Sequence, residues 1–235
     1  MSGPKQFKRP PKRYQPKGLT ILYEDRDIVV VDKVSGLLTI STESVRENTA
    51  YFLLTDYVRK GNQKSHKRVF IVHRLDRDTS GVIVFAKSEE AKRFLQDEWQ
   101  SFQKRYDAIV HGSMPKPEGV VVSYLTENSA HKMYSVTDPE GGQRAETRYR
   151  VVKERDGFSL LDVELMTGRK NQIRVHLADQ GCPVVGDKKY GSKAKGVKRL
   201  ALHAASLTLR HPHSKEEMTF IAPRPPWFES LVGKC

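Results

Sequence analysis

Residues 146–165 read Glu146-Thr-Arg-Tyr-Arg-Val-Val-Lys-Glu-Arg-Asp-Gly-Phe-Ser-Leu-Leu-Asp-Val-Glu-Leu165. Two apolar-rich stretches flank Asp156-Gly157, a turn dipeptide. The spacing predicts a long strand over Glu146–Lys153, a second over Phe158–Leu165, and a hairpin joining them. Working outward, further strands are expected at Leu19–Tyr23, Ile28–Asp32, Val69–Val72, Val82–Ala86, Arg105–His111 and Val120–Tyr124. Two more fall near Ala205–Arg210 and Glu217–Ile221, with a Pro-rich tail at Pro223–Pro226. Helical spacing appears in Glu47–Lys60, where Tyr51, Leu54, Thr55 and Val58 share a face. Ser88 reads as an N-cap, with Glu89 and Glu90 in the first turn of a helix running to about Phe102. A third helix, Asn171–Gln180, is closed by Gly181. Strands outnumber helices and do not alternate with them. The reading is α+β, with a mixed, largely antiparallel central sheet and flanking helices.

The charge balance points toward polyanions. The chain carries 41 Lys+Arg against 28 Asp+Glu, a net +13 over 235 residues, and such a surplus attracts nucleic acid or an anionic surface. Apolar runs such as Ile28–Val31 and Val82–Ala86 fall far short of the roughly 20 residues that span a bilayer. No apolar stretch follows Lys5, Lys8 and Arg9, so no signal peptide is read. Cys182 and Cys235 form neither a disulfide framework nor a metal spacing, and Cys182 is expected to be a small buried residue. A cytoplasmic, monomeric protein with no membrane partner is expected. Residues 1–17 hold six Lys/Arg and no acid. Residues 1–18 are therefore read as a basic, disorder-prone arm, either a solvated tail without a role or a phosphate-binding arm, and residues 19–235 as one globular domain.

Three segments carry chemistry. Phe70-Ile-Val-His-Arg-Leu-Asp-Arg-Asp-Thr-Ser-Gly81 sets Arg74, Asp76, Arg77 and Asp78 between two apolar strands, where charge is costly unless paired or used. Asp78-Thr-Ser-Gly81 suits a tight loop with Asp76 at the mouth of the sheet. Gly168-Arg-Lys-Asn-Gln-Ile-Arg-Val-His176 opens a helix from which Arg174 can pair with a carboxylate such as Asp76 and hold it ionised. Lys104–Gly112 is a strand on which Tyr106 can stack on a base and offer its hydroxyl for proton transfer. Ion-paired loop, surface helix and core tyrosine are the bland readings of the same residues.

Together these segments resemble the RluA-type family of RNA pseudouridine synthases, over nearly the whole chain from Ile21 to Pro223. The family pattern H-R-L-D-x-x-T-S-G is present as His73–Gly81, and K-x-Y-x-A-x-V-x-G as Lys104–Gly112. G-R-x-x-Q-I-R-V-H-L is Gly168–Leu177, G-D-x-x-Y-G is Gly186–Gly191, and L-H-A is Leu202-His203-Ala204. Two positions depart from the common pattern. Val34 follows Lys33 where relatives often have Pro, and Lys170-Asn171 stands where they often have Thr-His. In some relatives an S4-like RNA-binding domain precedes the catalytic domain; here the short arm before Leu19 is expected to take part of that task.

The resemblance implies isomerisation of a flipped-out uridine with Asp76 as the catalytic carboxylate. Tyr106 would stack on the base and assist loss of the C5 proton, and Arg174 would secure the charge on Asp76. His73, Arg74 and Leu202 are the implied substrate-binding residues. The implied partner is RNA, either ribosomal (possibly large-subunit) or tRNA. No metal or cofactor is implied, in keeping with the lack of a Walker motif, a G-x-G-x-x-G loop or a zinc ligand set. His-Arg-Leu-Asp also occurs in kinase catalytic loops, but no Gly-rich loop or Asp-Phe-Gly accompanies it. The alternatives are a non-catalytic RNA-binding or ribosome-associated protein of the same fold, and a hydrolase using Asp76 as nucleophile.

Overall fold

The computed structural model describes residues 10–42, 45–62, 64–191, 197 and 199–233. In chain order these form β1 (Leu19–Glu24), β2 (Ile28–Lys33), α1 (Ala50–Arg59), β3 (Phe70–Ile71), β4 (Ser80–Ala86) and α2 (Glu89–Asp97). Then come β5 (Gln103–His111), β6 (Glu118–Glu127), β7 (Met133–Val136), β8 (Gln143–Arg155), β9 (Phe158–Leu165) and α3 (Gln172–Asp179). β10 (Leu202–Arg210), β11 (Glu217–Ile221) and α4 (Trp227–Val232) follow. The fold is α+β and strand-rich, with antiparallel ladders, as the hairpin reading requires. Among the described residues no helix is long and apolar enough to cross a membrane.

The chain divides into two compact units, Met1–Phe102 with Ser206–Ala222, and Gln103–Ala205 with Pro223–Cys235. In the first, β2 lies between β1 and β4, with Lys33 opposite Leu19 on one side and Gly81 on the other. β3 adds to β4, and β11 pairs with the second half of β10 from Ser206 to Arg210. Ile28, Val30, Val82, Val84, Leu95 and Phe220 belong to its core. The helix caps follow from residue chemistry: Thr49 Oγ1 accepts the Phe52 N–H at 3.2 Å, and Ser88 Oγ accepts that of Ala91 at 3.1 Å. Of the expected α1 face, Leu54, Thr55 and Val58 are buried, together with Ala50.

The second unit stacks five strands in the order β5-β9-β8-β6-β7, all antiparallel. The deciding hairpin is its centre. Arg155 pairs with Phe158 around Asp156 (φ 50°) and Gly157 (φ 77°), the two positive-φ positions of a type I′ turn. Ile109, Val110, Leu160, Leu161 and Phe228 belong to its core. Cys182 is buried, as expected; Cys235 lies outside the described residues. β7 and α4 have no counterpart in the sequence reading. Helix α2 ends at Asp97, five residues before the expected Phe102.

Candidate active site

The loop bearing Asp76 joins β3 to β4 in the first unit, and backbone contacts fix it. Leu75 is buried, with its carbonyl accepting from Thr39 Oγ1 at 2.8 Å and its N–H donating back at 3.3 Å. A turn closes just beyond, from the Thr79 N–H to the Asp76 carbonyl at 3.2 Å. Gly81 sits at φ 110°, a conformation that glycine tolerates and other residues resist. His73 accepts the Val84 N–H at Nε2, 3.2 Å away, and stacks on Trp99 with ring centroids 4.2 Å apart. Arg74 is exposed and Asp76 half-buried.

Beneath this loop lies a residue to which the sequence reading gave no role. Lys33 is fully buried at the end of β2. Its Nζ donates to three carbonyls, Leu37 at 2.8 Å, Val34 at 3.1 Å and Arg77 at 3.1 Å. The Gly36 N–H reaches the same Arg77 carbonyl at 2.8 Å, and Ser35 Oγ donates to the Asp78 carbonyl at 2.7 Å. Burial pushes the Lys33 ammonium down to about 8, against the opposing pull of Asp78, Asp76 and Asp32. The 33–37 turn is thus a cradle that ties the Asp76-bearing loop to the sheet. A signal existed: β2 enters the loop from the continuous apolar run Ile28–Val31, and a strand buried on both faces carries its terminal lysine inward.

In the second unit, Arg174 projects from the first turn of α3. Its Nε donates to Asp187 Oδ2 at 2.7 Å and its Nη2 to Oδ1 at 2.9 Å, a bidentate pair whose side chains are 12% and 0% exposed. Nη1 donates to Asn171 Oδ1 at 3.1 Å, and Asn171 Nδ2 donates to the Tyr190 hydroxyl at 3.1 Å. The Tyr190 ring lies 5.1 Å from the guanidinium carbon. Burial pushes the Asp187 carboxyl up. The Arg174 hydrogen bond and charge, with the Tyr190 and Lys189 N–H groups, outweigh this and hold it below the usual carboxylate range. Sequence reasoning paired Arg174 with Asp76 and missed Asp187. Asp187 lies on an irregular loop 13 positions from Arg174, where periodicity gives no cue; only its place in G-D-x-x-Y-G marked it.

The helix itself is anchored by Gln172, which is 2% exposed. Its Oε1 accepts from Thr167 Oγ1 and the Arg169 N–H, and its Nε2 donates to the Glu146 carbonyl and Thr147 Oγ1. His176, one turn on, lies within 3.0 Å of Ser123 Oγ and 2.9 Å of Thr147 Oγ1. Burial lowers it to about 4, so its imidazole is neutral at pH 7. Tyr106 is half-buried on β5 opposite Val163 and packs on the second unit's core. Leu202, 4% exposed, belongs to that core. The neighbouring Asp107 takes a bidentate pair from Arg224 at 2.7 and 3.0 Å, across 117 positions. His73, Arg74 and Asp76 therefore share one loop of the first unit, whereas Tyr106, Arg174 and Leu202 belong to the second.

Asp25, Asp27 and His211 bring metal-ligand-type atoms within 4.8 Å of one another. The Asp25 carboxylate already accepts the Asp27 and Ile28 N–H groups, the Tyr23 hydroxyl and His211 Nε2. His211 Nδ1 accepts the His213 and Ser214 N–H groups. The ligand atoms of Asp25 and His211 are thus already taken up by hydrogen bonds.

Residues 27–179, which include the Lys33 cradle, the His73–Gly81 loop and the Arg174 helix turn, match the family described as RNA pseudouridylate synthase. The chain belongs to that family. Its members are isomerases, and so is this enzyme. The chain is 36% identical over 217 residues to the uncharacterized RNA pseudouridine synthase YhcT of Bacillus subtilis, covering 91% of this chain and 71% of that one. It is 36% identical over 225 residues to ribosomal large subunit pseudouridine synthase D of Nitrosomonas europaea, covering 91% and 64%. Among solved structures, human RNA pseudouridylate synthase domain containing 4 superposes with a TM-score of 0.74 at 25% identity, over 88% of this chain and 89% of that one.

Proposed function

We propose that this enzyme converts specific uridines of ribosomal RNA, with large-subunit RNA favoured over tRNA, to pseudouridine, using Asp76 as the catalytic carboxylate. The observation that carries this reading is the placement of Asp76. It follows the buried Leu75 on a loop tied down by Thr39 and by the Lys33 cradle, in a chain of the pseudouridylate synthase family. A loop so fixed presents a carboxylate without reorganisation at the moment of reaction.

The reaction breaks the N1–C1′ bond, turns the uracil and forms C5–C1′; C5 then gives up its proton and N1 ends protonated, so the net change is an isomerisation. Asp76 acts as nucleophile at C1′ or as base toward the 2′ proton; both routes need it ionised beside the sugar. Arg174, oriented by Asp187, supplies the cation that keeps it so. Tyr106 stacks on the base and assists loss of the C5 proton. His73 and Arg74 support the flipped nucleotide and Leu202 walls the pocket. The enzyme acts as a cytoplasmic monomer, and its basic arm, residues 1–18, adds phosphate contacts. Residues 1–9 of that arm lie outside the described residues.

The choice of RNA rests on the names of relatives such as ribosomal large subunit pseudouridine synthase D of Nitrosomonas europaea. Pseudouridine mapping of total RNA from cells with and without the gene tests it. A single large-subunit ribosomal site lost on deletion is expected. Loss confined to tRNA would overturn the assignment of substrate, and an unchanged map would overturn the function.

A further inference from the structure

A groove of about 630 Å³ lies in the first unit, between the chain segment 13–17 and the outer face of α1. Leu53, Asp56, Tyr57 and Lys60 line it at helical spacing, facing Arg13, Tyr14 and Lys17. Hydrogen bonds hold the segment in place. Gln15 Nε2 donates to the Pro10 carbonyl at 2.8 Å, its Oε1 accepts the Ile21 N–H at 3.1 Å, and the Val34 N–H reaches the Gly18 carbonyl at 3.0 Å. Tyr14 is 59% exposed, more than Phe52 at 41% or Tyr134 at 44%. The Arg13 guanidinium lies 4.8 Å from its ring centroid.

The charge around this ring is one-sided. Arg13, Lys17 and Lys60 line the groove against one acid, Asp56. Glu24 is already engaged by the Tyr57 hydroxyl at 2.9 Å and by Lys87 at 2.8 Å. No acidic residue occurs between Tyr57 and Leu75, while Arg59, Lys60, Lys64, Lys67 and Arg68 do. Arg59 Nε donates to the Lys67 carbonyl at 3.1 Å, fastening that basic loop to the end of α1. An exposed aromatic in a groove lined by cations is an arrangement that binds single-stranded nucleic acid, with the ring stacking on a base and the cations meeting phosphates. An acidic peptide would use the cations and leave the ring idle.

We infer that this groove holds one unpaired nucleotide of the substrate RNA, its base stacked on Tyr14 and its phosphates on Arg13, Lys17 and Lys60. The inference rests on the RNA-modifying function proposed above. It adds a contact outside the three sequence motifs that define the reaction.

Fluorescence anisotropy with the full chain and a fluorescein-labelled, unstructured RNA dodecamer tests it. Tyr14→Ala should weaken binding about tenfold, and Tyr14→Phe should retain native affinity, because stacking needs the ring and not the hydroxyl. Lys17→Gln with Lys60→Gln should lower the log–log salt slope by about 0.7 for each lost contact. Polyglutamate should bind Tyr14→Ala as tightly as the native chain. Native affinity of Tyr14→Ala for RNA, or an equal loss toward RNA and polyglutamate, would overturn the inference. The readout needs no turnover. An enzyme that binds through Tyr14 yet makes no pseudouridine would refute the proposed function alone, and native binding by Tyr14→Ala beside full turnover of the native chain would refute the groove alone.

Discussion

Asp187→Asn perturbs the site through one atom pair. The native carboxylate takes two charge-assisted bonds from Arg174 and accepts the Lys189 and Tyr190 N–H groups at 2.8 and 3.0 Å. The amide keeps the shape, turns an NH2 toward the guanidinium and removes the charge. Leaving one ion of a buried pair uncompensated costs about 3–5 kcal/mol. In a chain of this size that lowers Tm by about 10 °C. The effect has a pH signature. The folded Asp187 carboxyl lies below its unfolded value, so the unfolded chain takes up this proton first as pH falls. The pair's contribution is complete above about pH 4, the unfolded carboxylate value, and is lost as pH falls through the folded one. The gap between native and variant proteins should therefore narrow below about pH 4. Turnover at equal folded fraction should fall about 100-fold, as an ill-aimed guanidinium implies. Urea melts at pH 7 and pH 3.5, with tritium release from C5-labelled RNA, measure all three. A variant that melts like the native protein at pH 7 and turns over normally would refute the assignment of Asp187 as the holder of Arg174.

Tyr106→Phe should keep RNA affinity near native and lose product formation, because phenylalanine stacks but exchanges no proton; normal tritium release would remove the proton-transfer role and leave packing. Lys33→Met should change the pH dependence of stability. The native ammonium titrates near 8 in the fold against an ordinary 10.5, so its burial penalty is present in full below about pH 8 and is relieved as pH rises toward 10.5. Native stability relative to Lys33→Met should thus rise by about 3 kcal/mol across that window, and parallel urea curves at pH 7.5 and 10 would contradict the buried cradle.

What was legible in the chain was what local chemistry determines. The Asp156-Gly157 turn, the Ser88 cap and the closing strand Glu217–Ile221 follow from neighbouring residues alone, and all three stand as read. β7 escaped because its four residues Met133–Val136 are too few to show alternation, and β6 supplies their register. α4 escaped because Pro223–Pro226 reads as a stop; Pro226 instead stands at the N-cap of Trp227–Val232, where a missing N–H costs nothing. The site divides the same way. Motif spacing marked Asp76, Tyr106 and Arg174. The partners around them — Lys33 under the Asp76 loop, Asp187 against the Arg174 guanidinium, and Arg224 on Asp107 beside Tyr106 in the chain — are ones that no period or local propensity announces.

The most direct test of the central claim compares Asp76→Asn with Asp78→Asn. The two aspartates lie two residues apart on one charged loop, and both act on the Lys33 ammonium, so a merely structural role would make the variants alike. The measurement is C5 tritium release on RNA containing the target uridine, at folded fractions matched by thermal melting. The account predicts no detectable release from Asp76→Asn, which should bind RNA with near-native affinity, and substantial release from Asp78→Asn. Turnover by a well-folded Asp76→Asn enzyme, or equal loss in both variants, would contradict it.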